Sequence, residues 1–185
     1  MNPEVRGRLI AAAKRVVVER GLAAEVVQIT HEATASTATF YKYFSGRDDI
    51  LCALLHEMAD ELRGAIDKID RVEDAAEALR AWMMNGFDLY REYGVLASYV
   101  ISGLLPEGLQ DEVPSADVFR FTGRLIKRAV AAGQLRRGLD VRAAVRVWFG
   151  LVTPMRMEDS IKDGVSLDQL AEETLDVFFS AYSPR

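Results

Sequence analysis

The sequence predicts an all-α fold of about nine helices: a small N-terminal three-helix unit followed by a larger helical bundle. Three observations predict it. Apolar residues recur at three- and four-residue spacing along nearly the whole chain, runs with the period two of a strand are absent, and only five prolines interrupt the pattern. Half of the 185 residues are hydrophobic and 28% are charged, so a core can be buried beneath a polar surface.

Each element has its own signals. From Pro3 to about Arg20, Leu9, Ile10, Ala13, Val16 and Val17 share one helical face, and Gly21 supplies the stop. Roughly Val27 to Ala33 forms a short second helix with Ile29 and Ala33 on one side. After a break of three or four residues, Ser36 can cap a third short helix that sets Phe40 and Phe44 one turn apart. Ser45-Gly46 breaks the chain before a long helix from about Arg47 to Asp70. Further amphipathic stretches lie at roughly 73–92, 95–104, 115–132, 139–158 and 167–182. Their connections contain Gly94, Pro106, Gly108, Pro114, Gly133, Gly138 and Asp163-Gly164. Ser166 with Gln169 has the spacing of a capping box, and Val165 with Leu170 that of a hydrophobic staple. No internal repeat or low-complexity segment interrupts this order.

Composition and motifs exclude several function classes. No apolar run reaches the ~20 residues that span a bilayer, and the first residues lack a signal peptide, so a cytoplasmic protein with no membrane partner is expected. The single cysteine, Cys52, cannot form an intramolecular disulfide, and near a helix start it reads as a buried structural thiol or a redox-responsive one. His56-Glu57-Met58-Ala59-Asp60 has an acid where a zinc helix needs its second histidine, so no metal is expected. Phosphate-binding loops, nucleophile elbows and paired catalytic carboxylates are missing, so neither an enzyme nor a cofactor is expected. Arg120 and Arg124, one turn apart, read as a solvated face.

The net charge of −5 argues against a nucleic-acid partner, but it is unevenly spread. Residues 1–50 sum to +1 and the remaining 135 residues to −6, so a near-neutral head with locally placed cations can still contact phosphates.

Residues 27–44 carry the sharpest signal. Two short helices with a brief turn between them have the proportions of a helix-turn-helix, whose second helix enters the major groove led by its N-terminal residues. With Phe40 and Phe44 facing the core, Thr37, Ala38 and Thr39 stand at the exposed end. Threonine offers a hydroxyl to a base or phosphate and a methyl to thymine. The stretch from Ile29 through Ser36 to Tyr41-x-Tyr43-Phe44, with Ser45-Gly46-Arg47-Asp48-Asp49-Ile50-Leu51 after it, resembles the TetR family of transcriptional regulators. That family usually shows Ile-Ala, an Ala-Gly-Val-Ser turn, Tyr-x-Tyr/His-Phe and Lys-Glu-x-Leu. The resemblance implies a DNA-binding domain over residues 1–46 and a ligand-binding and dimerisation domain over 47–185. It makes Ser36 the recognition-helix cap and Thr37, Ala38 and Thr39 the base-facing positions. Tyr41, Lys42 and Tyr43 match phosphate-contacting positions, and Arg47 stands where the family has lysine. The chain departs from the pattern at Thr34, which replaces the turn glycine; at Thr30, where alanine is usual; and at Glu25, where the family often has a threonine cap. A β-branched residue at positive φ costs about 1–2 kcal/mol, so Thr34 points to a different turn geometry.

In the body, Val141, Val145, Trp148, Val152 and Met155 form one stripe of the eighth helix. Ala144, Val147 and Leu151 lie beside it, with Ala143 and Phe149 further round, too wide an arc for one buried face. The ninth repeats Leu167, Leu170, Ala171, Leu175, Phe178, Phe179 and Tyr182. Both helices could be interior elements of a monomer; the resemblance implies that they pair with their symmetry mates in a homodimer that reads a two-fold operator. Trp82, Met83, Phe87 and Tyr90 lie along the fifth helix, with Gly86 leaving space beside the indole. Leu62, Ile66, Tyr99, Phe121, Leu125 and Trp148 could meet them in a mostly apolar effector pocket, or all could be ordinary core. Two readings therefore stand. One is a ligand-responsive repressor released from double-stranded operator DNA by an apolar or amphipathic small molecule. The other is a helical ligand-binding or interaction module whose head does not read DNA.

Overall fold

The computed structural model describes residues 2–102, 115–152 and 164–184, which hold nine α-helices and no strand. α1 runs Pro3–Arg20, α2 Val26–Glu32, α3 Thr37–Phe40, α4 Arg47–Ile69 and α5 Ala75–Tyr93. α6 runs Val95–Ser102, α7 Ser115–Ala131, α8 Val141–Leu151 and α9 Leu167–Tyr182, and a 3-10 turn covers Gly21–Ala23. Pro106, Gly108, Pro114, Met155 and Asp163, named in the sequence reading, lie outside the described residues.

Local chemistry fixes the helix starts. Asn2 caps α1 by accepting from Glu4 N at 2.9 Å, and Ser166 caps α9 by accepting from Gln169 N at 3.1 Å. The Gln169 amide donates to Glu173 at 2.8 Å, along the helix. α2 carries a cap that its sequence disguises: Glu25 N donates to Gln28 Oε1 at 2.9 Å, the return arm of a capping box with glutamate in place of Ser or Thr.

The chain packs as two units, Met1–Glu61 with Leu89–Val113, and Leu62–Asp88 with Pro114–Arg185. In the first, Leu9, Ala13 and Val17 of α1 are buried, as are Ile29, Phe40, Phe44, Ile50 and Leu54. A charged node ties α1 to α4 and the end of α5. Lys14 Nζ lies 3.2 Å from Glu57 and 3.8 Å from Glu61, and it also pairs with Glu92. The ammonium stands 3.9 Å from the ring centroid of Tyr93, whose hydroxyl donates to Glu61 at 2.7 Å. The Tyr93 ring is fully buried. Beside this node the chain turns at Gly94, with φ at +58°, where a Cβ would sit 2.9 Å from Val18 Cα.

Burial pushes the Lys14 ammonium towards lower pKa, but its hydrogen bonds to Glu92 and Glu57 outweigh this and hold the pKa above the usual lysine value. Burial, with Glu61 beside it, raises the Tyr93 phenol in the same direction. Folding thus favours the protonated form of both groups, and their contribution is complete below the unfolded-state pKa and lost as pH climbs through the folded one. Thermal stability is therefore expected to fall as pH rises above about 10.5, and Lys14→Met should flatten that alkaline decline. An unchanged slope in thermal melts of the variant would show that the node does not couple to folding.

In the second unit, buried aromatic pairs set the core. Trp82 meets Phe121 edge-on at 4.9 Å, and Trp148 meets Phe178 at 5.0 Å. Trp82 Nε1 donates to Thr122 Oγ1 at 2.8 Å, and that hydroxyl donates to Val118 O at 2.9 Å, so a buried indole and a buried threonine satisfy each other. Arg128 closes the end of α4 by donating to Asp70 O at 3.3 Å and to Val72 O. Asp74 begins α5 by accepting from Glu77 N at 2.8 Å and from the Gln134 amide at 2.6 Å; the bond from Glu77 N is the main reason its carboxyl is held below the usual range. Among the described residues, no helix is long and apolar enough to cross a membrane.

Candidate nucleic-acid interface

α2 and α3 meet through a turn that the sequence reading did not expect. Ala35 N donates to Thr30 O at 2.9 Å and Thr34 N to His31 O at 3.1 Å, the paired bonds of a Schellman motif that ends α2. The motif needs a left-handed residue, and Thr34 takes that role with φ at +50°, the only positive φ outside glycine among the described residues. The expected change of turn geometry is thus overturned: the two terminal hydrogen bonds and the register of α3 outweigh the strain at one β-branched residue. Thr34 is exposed, so its side chain gains little packing in return. Thr34→Gly is expected to raise stability by about 1 kcal/mol, the strain relieved less the added backbone entropy of glycine. Calorimetry would show a melting temperature higher by roughly 2–4 °C; a lower one would mean that the residue is not strained.

Ser36 caps α3 by accepting from Thr39 N at 3.0 Å, and its hydroxyl also lies 2.8 Å from Thr39 Oγ1. Thr37 and Ala38 are exposed, whereas Thr39 is half-buried with its hydroxyl engaged by the cap. Behind them Phe40 and Phe44 are buried, with ring centroids 5.6 Å apart. α3 itself ends at Phe40. The next residues form a tight turn in which Tyr43 N and Phe44 N both donate to Phe40 O, at 2.9 and 3.0 Å. That turn holds the one-turn spacing of the two rings and swings Tyr41 and Lys42 outward. Tyr41 is 57% exposed with its ring edge-on to Phe40 at 5.5 Å, and Lys42 is exposed.

Tyr43 and Arg47, both matched to phosphate-contacting positions, make contacts within the chain. The Tyr43 hydroxyl accepts from Asn2 N at 3.2 Å. Arg47 at the start of α4 donates to Leu22 O at 3.2 Å and to Asp48 at 3.1 Å, while 45% of its side chain is exposed. Asp49 occupies the same helix start by accepting from Ser45 N at 2.8 Å. Sequence reasoning missed Arg6. Its guanidinium lies 5.3 Å from the Phe44 ring centroid, which sets an exposed cation of α1 beside the α3 platform. Only tertiary contact makes this neighbourhood, since 38 positions of chain separate the two residues.

Of the residues expected to line a pocket, Leu62, Trp82, Met83, Phe87, Phe121, Leu125 and Trp148 are buried in the second unit, and Ile66 is half-buried there. Trp82 meets Phe121 edge-on, whereas Trp148 meets Phe178 edge-on instead of joining them. Tyr90 and Tyr99 belong to the first unit, buried and half-buried respectively. A Cβ added at Gly86 would meet nothing within 4 Å. Next to it, Asn85 Oδ1 is a buried acceptor with no hydrogen-bond partner among the described residues. No sequence pattern singles out Asn85, because the lack of a partner is a property of the packing. Among the described residues, no group of three or more His, Cys, Asp or Glu side chains could hold a metal ion.

Residues 9–54 match the profile of bacterial regulatory proteins of the tetR family. The HTH-type transcriptional regulator BetI of Brucella anthropi is 37% identical over 86 residues, 44% of each chain, so this match spans less than half of either protein. The fatty acid metabolism regulator protein of Bacillus subtilis is 26% identical over 178 residues, 91% of this chain and 92% of that one. Among solved structures, AibR in complex with isovaleryl coenzyme A and operator DNA shares the fold with a TM-score of 0.72 at 18% identity, covering 95% of this chain and 97% of its own. The profile match covers the helix-turn-helix with its buried Phe40–Phe44 platform, and the likeness to the Bacillus subtilis regulator in sequence and to AibR in fold extends along almost the whole length.

Proposed function

We propose that the chain is a homodimeric, ligand-responsive transcriptional repressor that acts on DNA in the cytoplasm, with residues 1–46 as the DNA-reading head and 47–185 as the sensing and dimerising body. The observation that carries this reading is the outer face of the α3 region. Thr37, Ala38, Tyr41 and Lys42 point to solvent from a base of two buried phenylalanines. Short side chains at the leading end allow close approach to base edges, and Tyr41, Lys42 and Arg6 flank them as phosphate partners. Arg47 and Tyr43 serve this interface by holding α4 and α1 in register, and Arg47 keeps an exposed surface for a phosphate. AibR, of the same fold, was solved on operator DNA, which supports the same use here.

The dimer reading is supported by apolar side chains that α8 and α9 leave outward, Val147 at 40% and Val177 at 55% exposure. A two-fold reader suits a two-fold operator, and sedimentation showing a monomer at micromolar concentration would overturn it. The effector reading rests on the body. The open position at Gly86, the apolar side chains around α5 and the partnerless Asn85 oxygen suit an amphipathic molecule that carries a hydrogen-bond donor. The isovaleryl coenzyme A of AibR makes acyl thioesters the first class to try.

The deciding experiment is a gel-shift titration against the DNA flanking the chain's own gene. A retarded band is expected that weakens steeply between about 50 and 200 mM salt, as phosphate contacts require. No salt-sensitive binding to any DNA would overturn the regulator reading and leave a ligand-binding module.

A further inference from the structure

The outer groove between α7 and α8, about 780 Å³ in volume, concentrates cations on a chain whose net charge is −5. Arg120, Arg124 and Lys127 stand at i, i+4 and i+7 on one face of α7, and Arg142 and Arg146 are one turn apart on α8 across from them. Like charges one turn apart weaken a helix, and here two such rows face each other. Carboxylates relieve only part of this repulsion. Among the described residues Asp140 is the one carboxylate lining the groove, and its Oδ1 is used to cap α8, accepting from Arg142 N at 2.9 Å and Ala143 N at 3.1 Å. Arg120 pairs with Asp117, and Arg124 reaches Asp70 at 3.5 Å. Lys127, Arg142 and Arg146 have no ion pair among the described residues.

The floor is apolar. A Cβ at Gly123 would come no nearer than 3.7 Å to Val145, so the glycine leaves the base of the groove low. At one end Phe119, 37% exposed, lines the groove with its ring centroid 4.3 Å from that of Phe149. Rows of guanidinium and ammonium groups call for phosphates, and an exposed ring beside them calls for a flat aromatic group on the same molecule.

We propose that the α7–α8 groove binds a nucleoside phosphate, its base against Phe119 and its phosphates between Arg120, Arg124 and Lys127 on one side and Arg142 and Arg146 on the other. The nucleotide could come free or as the nucleotide end of coenzyme A, which share this chemistry. The proposal does not depend on the head reading DNA.

Calorimetric titration of the full chain with ADP, coenzyme A, adenosine and pyrophosphate tests it. ADP and coenzyme A are expected to bind and adenosine not to bind. Arg142→Ala and Arg146→Ala should each weaken binding about tenfold, about 1.4 kcal/mol, without loss of helical circular dichroism. Phe119→Ala should weaken ADP and leave pyrophosphate unchanged. Tighter coenzyme A than ADP would assign the site to the coenzyme, and equal affinities to a free nucleotide. Three results would overturn the proposal: no binding of either nucleotide, pyrophosphate as tight as ADP, or nucleotide affinity unchanged in the folded arginine variants. Competition by random-sequence duplex DNA, lost in the same variants, would make the groove a DNA contact and overturn it as well.

Discussion

Phe40→Ala is expected to abolish DNA binding without touching a base or a phosphate. The ring is wholly buried and packs against both Phe44 and Tyr41. Removing a buried phenylalanine costs about 3–5 kcal/mol, the lost transfer energy together with the cavity left behind. Whole domains hold only about 5–15 kcal/mol of stability, so the small three-helix head is the part least able to absorb such a loss. The Phe40–Phe44 pair also positions the outward turn of Tyr41 and Lys42, so even a folded remnant would present them badly. Hydrogen exchange should show α2 and α3 opening first; protection equal to that of the parent would refute the platform role.

The contrasting variant is Tyr41→Ala combined with Lys42→Ala. Both side chains are exposed, and substitutions at such positions usually change stability by less than about 0.5 kcal/mol each. DNA affinity should nevertheless fall by about 100-fold, about 2.7 kcal/mol for two side chains acting together. The loss of Lys42 should lower the salt dependence by about one phosphate contact, with no change in sequence preference. A gel shift of parental strength from the folded double variant would remove the α3 face from the interface. Taken together, the two variants separate loss through unfolding from loss through contact.

The reach of the sequence ended where chain-distant contacts begin. Ser36 and Ser166 declared themselves as caps because a hydroxyl three residues before a free N–H is a local fact. Phe40 and Phe44 were legible from their spacing, as were the helix boundaries near Gly21, Ser45-Gly46 and Gly133. Thr34 misled the reading because propensity weighs one residue, whereas the Schellman bonds on either side of it decide the turn. The Lys14 node joins residues 43 and 78 positions apart, and no periodicity announces a lysine that meets its carboxylates only in the fold. Arg120 and Arg124 looked like a solvated face for the same reason: α7 alone gives no sign that Arg142 and Arg146 lie across a groove from them.

The corner at Gly94 leaves no slack between α1 and the junction of α5 with α6. Its backbone approaches Val18 so closely that even a methyl group would strike the main chain, and Lys14 grips Glu92 two residues earlier. A close backbone contact of this kind leaves little room for the two elements to slide past each other. These contacts join the end of α5 to α1, the helix that also carries Arg6 and follows the Asn2 tether on Tyr43. A small movement at that junction would then be expected to re-aim the outward side chains of Tyr41 and Lys42 while their own packing stays as it was.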